Sequence, residues 1–399
     1  MPDLAGKRVL LAIGGGIAAY KCAELVRRLI GEGAEVQVAM TRAARDFVSP
    51  LVLQTLSRRP VALELLDPHE DAAIGHIRIA DEADVVLVAP ATADLIARMA
   101  LGIADDIVTT ALLVARCPVV VAPSMNSNMI DHPTVRRNLA MLASFGHRIV
   151  DSDSGELACG YEGAGRLPDA DALLAEVTAA LTPKDLTGRR VLVSAGPTRE
   201  ALDPVRYLTN RSSGRMGYSV AAAAWRRGAD VTLVSGPTSL ACPRGVERVS
   251  VISAAEMHSA MIERTPGSDV VVMVAAVADY RPAAPASGKI KKKRGEPMVL
   301  TLAENEDILA ALSRVPGRRV LVGFAAETSD VLRNAREKLE RKGAHLIVGN
   351  DVTLPGAGFE TETNAAVLVD ADGQCHTGLV SKDALADLIL DRVLELSLP

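Results

Sequence analysis

The stretch Asp3-Leu4-Ala5-Gly6-Lys7-Arg8-Val9-Leu10-Leu11 returns, almost residue for residue, as Asp185-Leu186-Thr187-Gly188-Arg189-Arg190-Val191-Leu192-Val193. In both places an acid, a Leu and a Gly lead through two basic residues into an apolar run, and a glycine-bearing turn follows. That is how the first strand of an α/β sheet opens. A chain that opens one sheet, reaches Pro183 and opens another is two domains in series. At 399 residues it is also too long for one core. The expected domains are 1–183 and 184–399.

Periodicity supports the same division. In the first half, Val9 to Ile13, Glu35 to Met40, Val85 to Ala89 and Val119 to Ala122 read as buried strands. Between the first two, Cys22, Leu25, Val26 and Leu29 mark one face of a helix. In the second half strands are expected at 191–195, 231–235, 270–276, 320–324 and 345–348. Apolar strands alternating with helices predict an α/β protein with two Rossmann-like parallel-sheet domains, with ligands at the carboxyl ends of the strands. Two segments break the rhythm. Residues 151–168, Gly-rich and without period, read as a mobile loop ahead of a helix at 169–181. The Pro/Ala/Gly segment after Tyr280-Arg281-Pro282, leading to the basic run 289–294, reads as a loop or lid.

Composition removes several classes. The net charge is −5 and basic residues are dispersed apart from that one run, so nucleic acid is not an expected partner. The cysteines at 22, 117, 159, 242 and 375 form no Cys-x-x-Cys, which argues against a disulfide framework or zinc site and for a cytoplasmic setting. No signal peptide opens the chain, and Val270 to Ala278 is too short an apolar run to span a membrane.

Gly14-x-Gly16-x-x-Ala19 is a loose dinucleotide fingerprint, with amides at a helix start ready for phosphate. The second strand ends not in an acid but in Met40-Thr41-Arg42, which suits a phosphate monoester. Flavin mononucleotide and an NADP 2′-phosphate are both allowed. Asn126 would take a carboxylate or amide, or simply form a turn. His76 and Cys159 are candidate reactive groups, with satisfied-core and small-hydrophobe readings beside them. In the second half Pro197 bars the usual Gly-rich helix entry. Ser212-Ser213-Gly214-Arg215 instead offers amides, hydroxyls and Arg at a helix N-terminus, an anion site. Asp279 is placed for a metal or a ribose hydroxyl, Phe324 for a base or for core. Lys338 and Lys342 share one helix face, a small repulsion unless an anion lies between them.

Gly14-Gly15-Gly16-Ile17-Ala18-Ala19-Tyr20-Lys21, Gly75-His76-Ile77, Ala89-Pro90-Ala91-Thr92-Ala93, Pro123-Ser124-Met125-Asn126-Ser127-Asn128-Met129 and Ala158-Cys159-Gly160 with its following glycines together resemble the flavin-containing cysteine decarboxylases. The second half adds Ser194-Ala195-Gly196-Pro197-Thr198, Asn210-Arg211-Ser212-Ser213-Gly214, Ala275-Ala276-Val277-Ala278-Asp279-Tyr280, Lys289-Ile290-Lys291-Lys292, Gly323-Phe324-Ala325-Ala326-Glu327 and Gly349-Asn350-Asp351. Over nearly its whole length the chain is similar to the bacterial bifunctional phosphopantothenoylcysteine decarboxylase/phosphopantothenate–cysteine ligases of coenzyme A synthesis. It departs from them at Asp94, where Asn is usual, and at Ile130, where Trp is usual.

The resemblance implies CTP-dependent ligation of cysteine to 4'-phosphopantothenate through an acyl-cytidylate, then FMN-dependent decarboxylation of the product. It assigns Gly15, Gly16, Ile17, Thr41, Ala91 and Thr92 to FMN. Decarboxylation would pass through a thioaldehyde, with His76 as base, Asn126 holding the departing carboxylate and Cys159 giving a proton. CTP would be held by Ala275, Asp279, Lys289, Asn305, Glu306, Asp307, Ile308, Phe324, Lys338 and Lys342, with Mg2+ at Asp279 and Asn210 stabilising the acyl-cytidylate. It further implies a homo-oligomer with trimeric decarboxylase contacts and dimeric ligase contacts, a dodecamer where both operate. An NADP-dependent oxidoreductase with tandem Rossmann domains is the alternative, and a flavin-binding subunit without catalysis a third reading.

Overall fold

The first strand, Arg8–Ile13 (β1), is apolar on both sides after its opening arginine, and the two sides enter different cores. Val9, Leu11 and Ile13 pack beneath the sheet with the helices Cys22–Gly31 and Ala170–Leu181. Leu10 and Ala12 pack above it with Ala93–Leu101, Ile107–Val114 and Pro133–Ser144. This is why such strands read as continuous hydrophobic runs: a parallel sheet must be covered on both faces. The computed structural model describes residues 4–65, 75–156, 160, 162–292, 297–327, 329–351, 353–358 and 361–396.

The chain divides into two compact units, Met1–Thr182 and Pro183–Pro399. In the first, β1 lies between Glu35–Met40 (β2) and Val85–Ala91 (β3). Val119–Pro123 (β4) and the short Arg148–Ile149 (β5) complete a parallel sheet of order β2-β1-β3-β4-β5. The expected helix face forms: Cys22, Leu25, Val26 and Leu29 are all buried. The Cys22 thiol donates to the Ala89 carbonyl at 3.2 Å, and burial pushes its pKa up to about 12, so it is structural.

Residues 151–168 are not the mobile loop that their composition suggests. Asp153–Glu156 (β6) and Glu162–Arg166 (β7) pair antiparallel as a ribbon. Neither strand has an apolar face, so no alternation betrays them; the ribbon is held by backbone pairing and by close packing on the 123–130 segment. Gly165, at φ +129°, allows it: its amide region approaches so closely that a Cβ there would lie 2.1 Å from the Met125 carbonyl oxygen.

The second unit opens with Arg190–Ala195 (β8), and its turn behaves as Pro197 predicts. No helix follows directly. A small hairpin, Arg199–Ala201 (β9) with Tyr207–Thr209 (β10), intervenes before the helix Arg215–Arg226. Then come Asp230–Ser235 (β11), Val246–Ser250 (β12), Val270–Met273 (β13), Tyr280–Pro282 (β14), Leu302–Glu304 (β15), Val320–Glu327 (β16), Leu346–Asp351 (β17), Thr363–Asp370 (β18) and Gln374–Ser381 (β19). The sheet order is β12-β11-β8-β13-β16-β17-β18-β19. The first six strands are parallel, but β18 and β19 add antiparallel at one edge, so this sheet is mixed rather than parallel throughout. The strand expected at 270–276 stops at Met273, because the Ser194 hydroxyl accepts from the amides of Val274 and Ala275, both at 3.1 Å, and draws them out of the ladder.

The segment after Pro282 is tethered. β14 and β15 pair antiparallel at its two ends, Ala286 donates to the Leu202 carbonyl at 2.9 Å, and Ile290 is held by both its backbone groups. Its amide donates to Asp203 Oδ2 at 3.1 Å, and its carbonyl accepts from Arg206 at 2.7 Å. Lys293 and Arg294 of the basic run lie outside the described residues.

Candidate functional sites

Each unit holds a cavity at the carboxyl ends of its strands, where an open α/β sheet binds ligands. The first, about 1340 Å3, is lined by Gly15, Gly16, Ile17, Thr41, Thr92 and Asn126, with Arg42 and Ser124 beside them. The chain reaches this geometry through tight turns. Gly14 donates to the Pro90 carbonyl at 3.1 Å, and a Cβ on it would come within 2.5 Å of that oxygen. Thr41 and Thr92 cap the short helices that follow, accepting from the amides of Ala44 (3.3 Å) and Leu95 (3.2 Å). Their hydroxyls therefore stay at the cavity wall. Backbone amides, hydroxyls and the guanidinium groups of Arg42, Arg98 and Arg166 around a broad, partly apolar space form a donor set that fits a planar ring carrying a single phosphate.

Not every expected residue joins it. Ala91 is buried in β3 and is not among the lining residues. His76 sits in the first turn of Gly75–Asp81, is also absent from the lining, and its Nδ1 is buried with no hydrogen-bond partner among the described residues. Cys159 lies outside the described residues, although Glu156 and Gly160 on either side reach the cavity. Asn126 does both things open to it: its side chain accepts from the Asn128 amide at 2.9 Å, forming the turn, and it lines the cavity. Asp94 is exposed at the rim and faces Arg98 at 3.1 Å, which also meets Asp105 at 2.9 Å. The carboxylate at this position is thereby charge-balanced. Arg98 and Asp106 also line this cavity; their sequence signatures, an i,i+4 spacing from Asp94 for Arg98 and a helix N-cap for Asp106, are structural rather than functional.

The second cavity, about 880 Å3, is lined by Asn210, Ala275, Asp279, Phe324, Lys338 and Lys342, and by the run from Asn305 to Ile308. Lys289 is exposed and not among the lining residues. Asn210 donates to the Val277 carbonyl at 2.9 Å, fixing it beside the irregular 274–279 backbone. The two lysines on one face avoid mutual repulsion separately. Lys342 pairs with Asp307, which caps Ile308–Ser313, and Lys338 donates to the Phe324 carbonyl at 2.7 Å. Burial pushes the Lys338 ammonium below its ordinary pKa, partly opposed by Glu327 and Asp279. Glu306 is engaged by His258 at 3.0 Å. No group of three or more metal-ligating side chains occurs among the described residues. Asp279 fits a cation only if the ligand brings most of the oxygens, as Mg2+ with a triphosphate does.

Sequence reasoning passed over Lys382 and Asn364, which line the same cavity, and gave Asn350 no role. One signal was available: Lys382 opens a helix at the position where an acid is favoured. No described helix is long and apolar enough to cross a membrane.

The family model described as Flavoprotein matches residues 2–182, and that described as DNA/pantothenate metabolism flavoprotein C-terminal domain matches residues 186–396. The coenzyme A biosynthesis bifunctional protein CoaBC of Vibrio parahaemolyticus is 50% identical over 398 residues, covering 99% of this chain and 100% of its own. The protein of the same name from Escherichia coli is 47% identical over 395 residues, covering 98% of this chain and 97% of its own. A crystal structure of the C-terminal domain of a CoaBC protein aligns at 40% identity with a TM-score of 0.46, over 53% of this chain and 97% of that one.

Proposed function

The chain belongs to the family of coenzyme A biosynthesis bifunctional proteins, and on that premise we propose how its residues divide the work. It is a bifunctional enzyme with phosphopantothenate–cysteine ligase and phosphopantothenoylcysteine decarboxylase activities, and a flavoprotein; the oxidoreductase alternative finds no support. We assign decarboxylation to 1–183 and ligation to 184–399. The observation that carries this division is the pair of cavities, each formed within one unit and different in chemistry.

In the first unit, Gly15, Gly16, Ile17, Thr41 and Thr92 would hold FMN, with Ala91 packed behind Thr92. Bound flavin would supply reversible oxidation of the cysteinyl end to a thioaldehyde, whose thiocarbonyl accepts the electron pair as CO2 leaves. Asn126 orients the departing carboxylate, Cys159, in the sequence between β6 and β7, would give a proton to carbon, and the ribbon excludes water. We assign the base to His76 within a homo-oligomer, because its own chain's cavity does not include it and the helix Ile107–Val114, which packs on the helix of His76, exposes the apolar Leu113, with Leu101 and Ile103 exposed just before it in the chain. Mixed oligomers of His76→Gln and Cys159→Ser subunits should then regain decarboxylase activity that neither variant has alone. Silent mixtures would remove this assignment.

In the second unit, a carboxylate oxygen of 4'-phosphopantothenate attacks the α-phosphorus of CTP, the bond to the β-phosphate breaks, and diphosphate leaves. The amine of cysteine then attacks the acyl carbon and CMP departs. Ala275, Asn305, Glu306, Asp307, Ile308 and Phe324 would take the nucleoside, with Lys338 and Lys342 beside it. Asp279 would hold Mg2+ with the phosphates. Lys289, on its tethered strap, neutralises charge on the phosphates as diphosphate departs. Asn210 holds the mixed anhydride for the incoming amine. Lys289→Gln should release almost no diphosphate with or without cysteine, whereas Asn210→Asp should form acyl-cytidylate in one turnover and let it accumulate. Rapid quench and mass measurement decide it: intermediate in the first variant, or none in the second, overturns these roles.

A further inference from the structure

In the lining of the ligase cavity, besides Lys338 and Lys342, two cations occupy positions that electrostatics disfavours. Arg215 is the first residue of the helix Arg215–Arg226, and Lys382 is the first residue of Lys382–Glu395. A helix N-terminus carries positive partial charge, so acids belong there and cations cost energy. Both residues line the cavity, and Lys382 is only 5% exposed. Its Nζ donates to the carbonyls of Gly358 (2.9 Å) and Thr361, which leaves one of its three hydrogens for something else. The carboxylates beside these two cations in the described chain are engaged: Glu362 pairs with Arg215, and Asp383 with the Ser219 hydroxyl.

Asn350 supplies an independent sign. It stands near the end of β17, is 9% exposed, and lines this cavity, with its Oδ1 lacking a hydrogen-bond partner among the described residues. Among the described side chains with a buried, unpartnered polar atom, it alone borders either cavity. The oxygen and nitrogen of an amide exchange by a flip, so this group can present a donor to a ligand. A buried ammonium, a guanidinium, the amides of a helix start and an unused side-chain amide make a socket for an anion with several oxygens.

We propose that Lys382, Arg215 and Asn350 form a phosphate-binding subsite of the ligase cavity, with Lys382 as its deep cation. The subsite rests on the nucleotide reading of this cavity. Its occupant is a phosphate oxyanion, brought either by the polyphosphate tail of the nucleotide or by the terminal phosphate of 4'-phosphopantothenate. Held there, an anion cancels the charge that the two helix starts and two cations build up. In the nucleotide case the subsite also receives diphosphate as it leaves.

The test is calorimetric titration of the full chain at matched ionic strength with three probes: inorganic diphosphate, CMP and 4'-phosphopantothenate. Lys382→Gln should weaken one phosphate probe about tenfold or more while CMP binding stays unchanged. Loss of diphosphate binding identifies the nucleotide tail; loss of 4'-phosphopantothenate binding identifies the substrate phosphate. Both probes binding as in the wild type, with CMP also bound, overturns the subsite. If the wild type does not bind CMP, the nucleotide reading falls instead, and the two phosphate probes still judge the subsite. Should Lys382→Gln not fold, Arg215→Gln, at a partly exposed position, carries the same comparison with the same outcomes.

Discussion

At the scale of single residues, the first unit's cavity depends on contacts that only one residue type permits. Gly165 combines a backbone angle that L side chains avoid with a near-contact on the Met125 carbonyl, and its own carbonyl accepts from the Met125 amide at 3.0 Å and from the Ser124 hydroxyl at 3.3 Å. Gly165→Ala cannot relieve both the strain and the overlap without moving the ribbon off Asn126. The expected cost is on the order of 2 to 4 kcal/mol. Thermal melting should fall, and decarboxylation should fall further than melting explains, because this ribbon packs on the segment that carries Asn126. An unchanged melt would show that the close approach is not used. The candidate residues were legible because glycines, Thr caps and Asn turns are local chemistry, written in adjacent letters. Asn350 was not, and Lys382 only as a cation at a helix start, because what makes them unusual is burial in one cavity, set by strands and helices far apart in sequence.

At the scale of elements, the central strands could be read from their letters and the edges could not. β3 is buried along its whole length, so every position is apolar. β12 and β19 are largely exposed edge strands whose polar residues carry no period, and the ribbons β6–β7 and β14–β15 bury no face. The strap between β14 and β15 shows what such polar segments rely on instead. Asp203 accepts from the amides of Val205 and Arg206 at 2.8 Å, from the Ile290 amide, and from the Arg206 guanidinium at 2.6 Å. Arg206 above all holds its carboxyl far below the usual carboxylate range, with those amides adding to the effect against the opposing pull of burial. A carboxylate whose folded pKa is depressed contributes above its unfolded pKa and loses that contribution only as pH falls through the folded value. The strap should therefore stay closed from pH 8 down to pH 5. Asp203→Asn should open it at every pH in that range, speed tryptic cutting at Lys289 to Lys292, and slow diphosphate release while CMP still binds. A cutting rate that rises in the wild type between pH 8 and 5, once corrected for trypsin's own profile, would contradict the clamp.

At the scale of the whole chain, the repeat that opens both halves has a direct energetic meaning. Each unit begins with a strand whose two sides enter two cores, and each core is drawn from one side of the Thr182–Pro183 junction. Residues between Leu4 and Leu181 form two of them; residues between Leu186 and Leu396 form the other two. The entry to the second unit is fastened within that unit. Asp185 pairs with Arg227 at 2.7 and 2.8 Å, and the buried Arg227 also reaches Asp391 at 2.7 Å; Lys184 donates to the Arg226 carbonyl at 2.6 Å. Domains of about 180 to 215 residues with their own covered sheets are large enough to fold alone. Cutting the chain at the junction should therefore give two working proteins. Residues 1–183 should purify yellow and decarboxylate 4'-phosphopantothenoylcysteine, with no ligase activity. Residues 184–399 should be colourless and release diphosphate from CTP in the presence of 4'-phosphopantothenate and cysteine. Each should melt in a single cooperative transition, since each buries its own sheet on both faces. The decisive comparison is between fragments and full chain under identical assay. Fragments that aggregate, or that recover activity only when mixed, would mean that the two halves complete one another, and the serial division of labour would have to be abandoned.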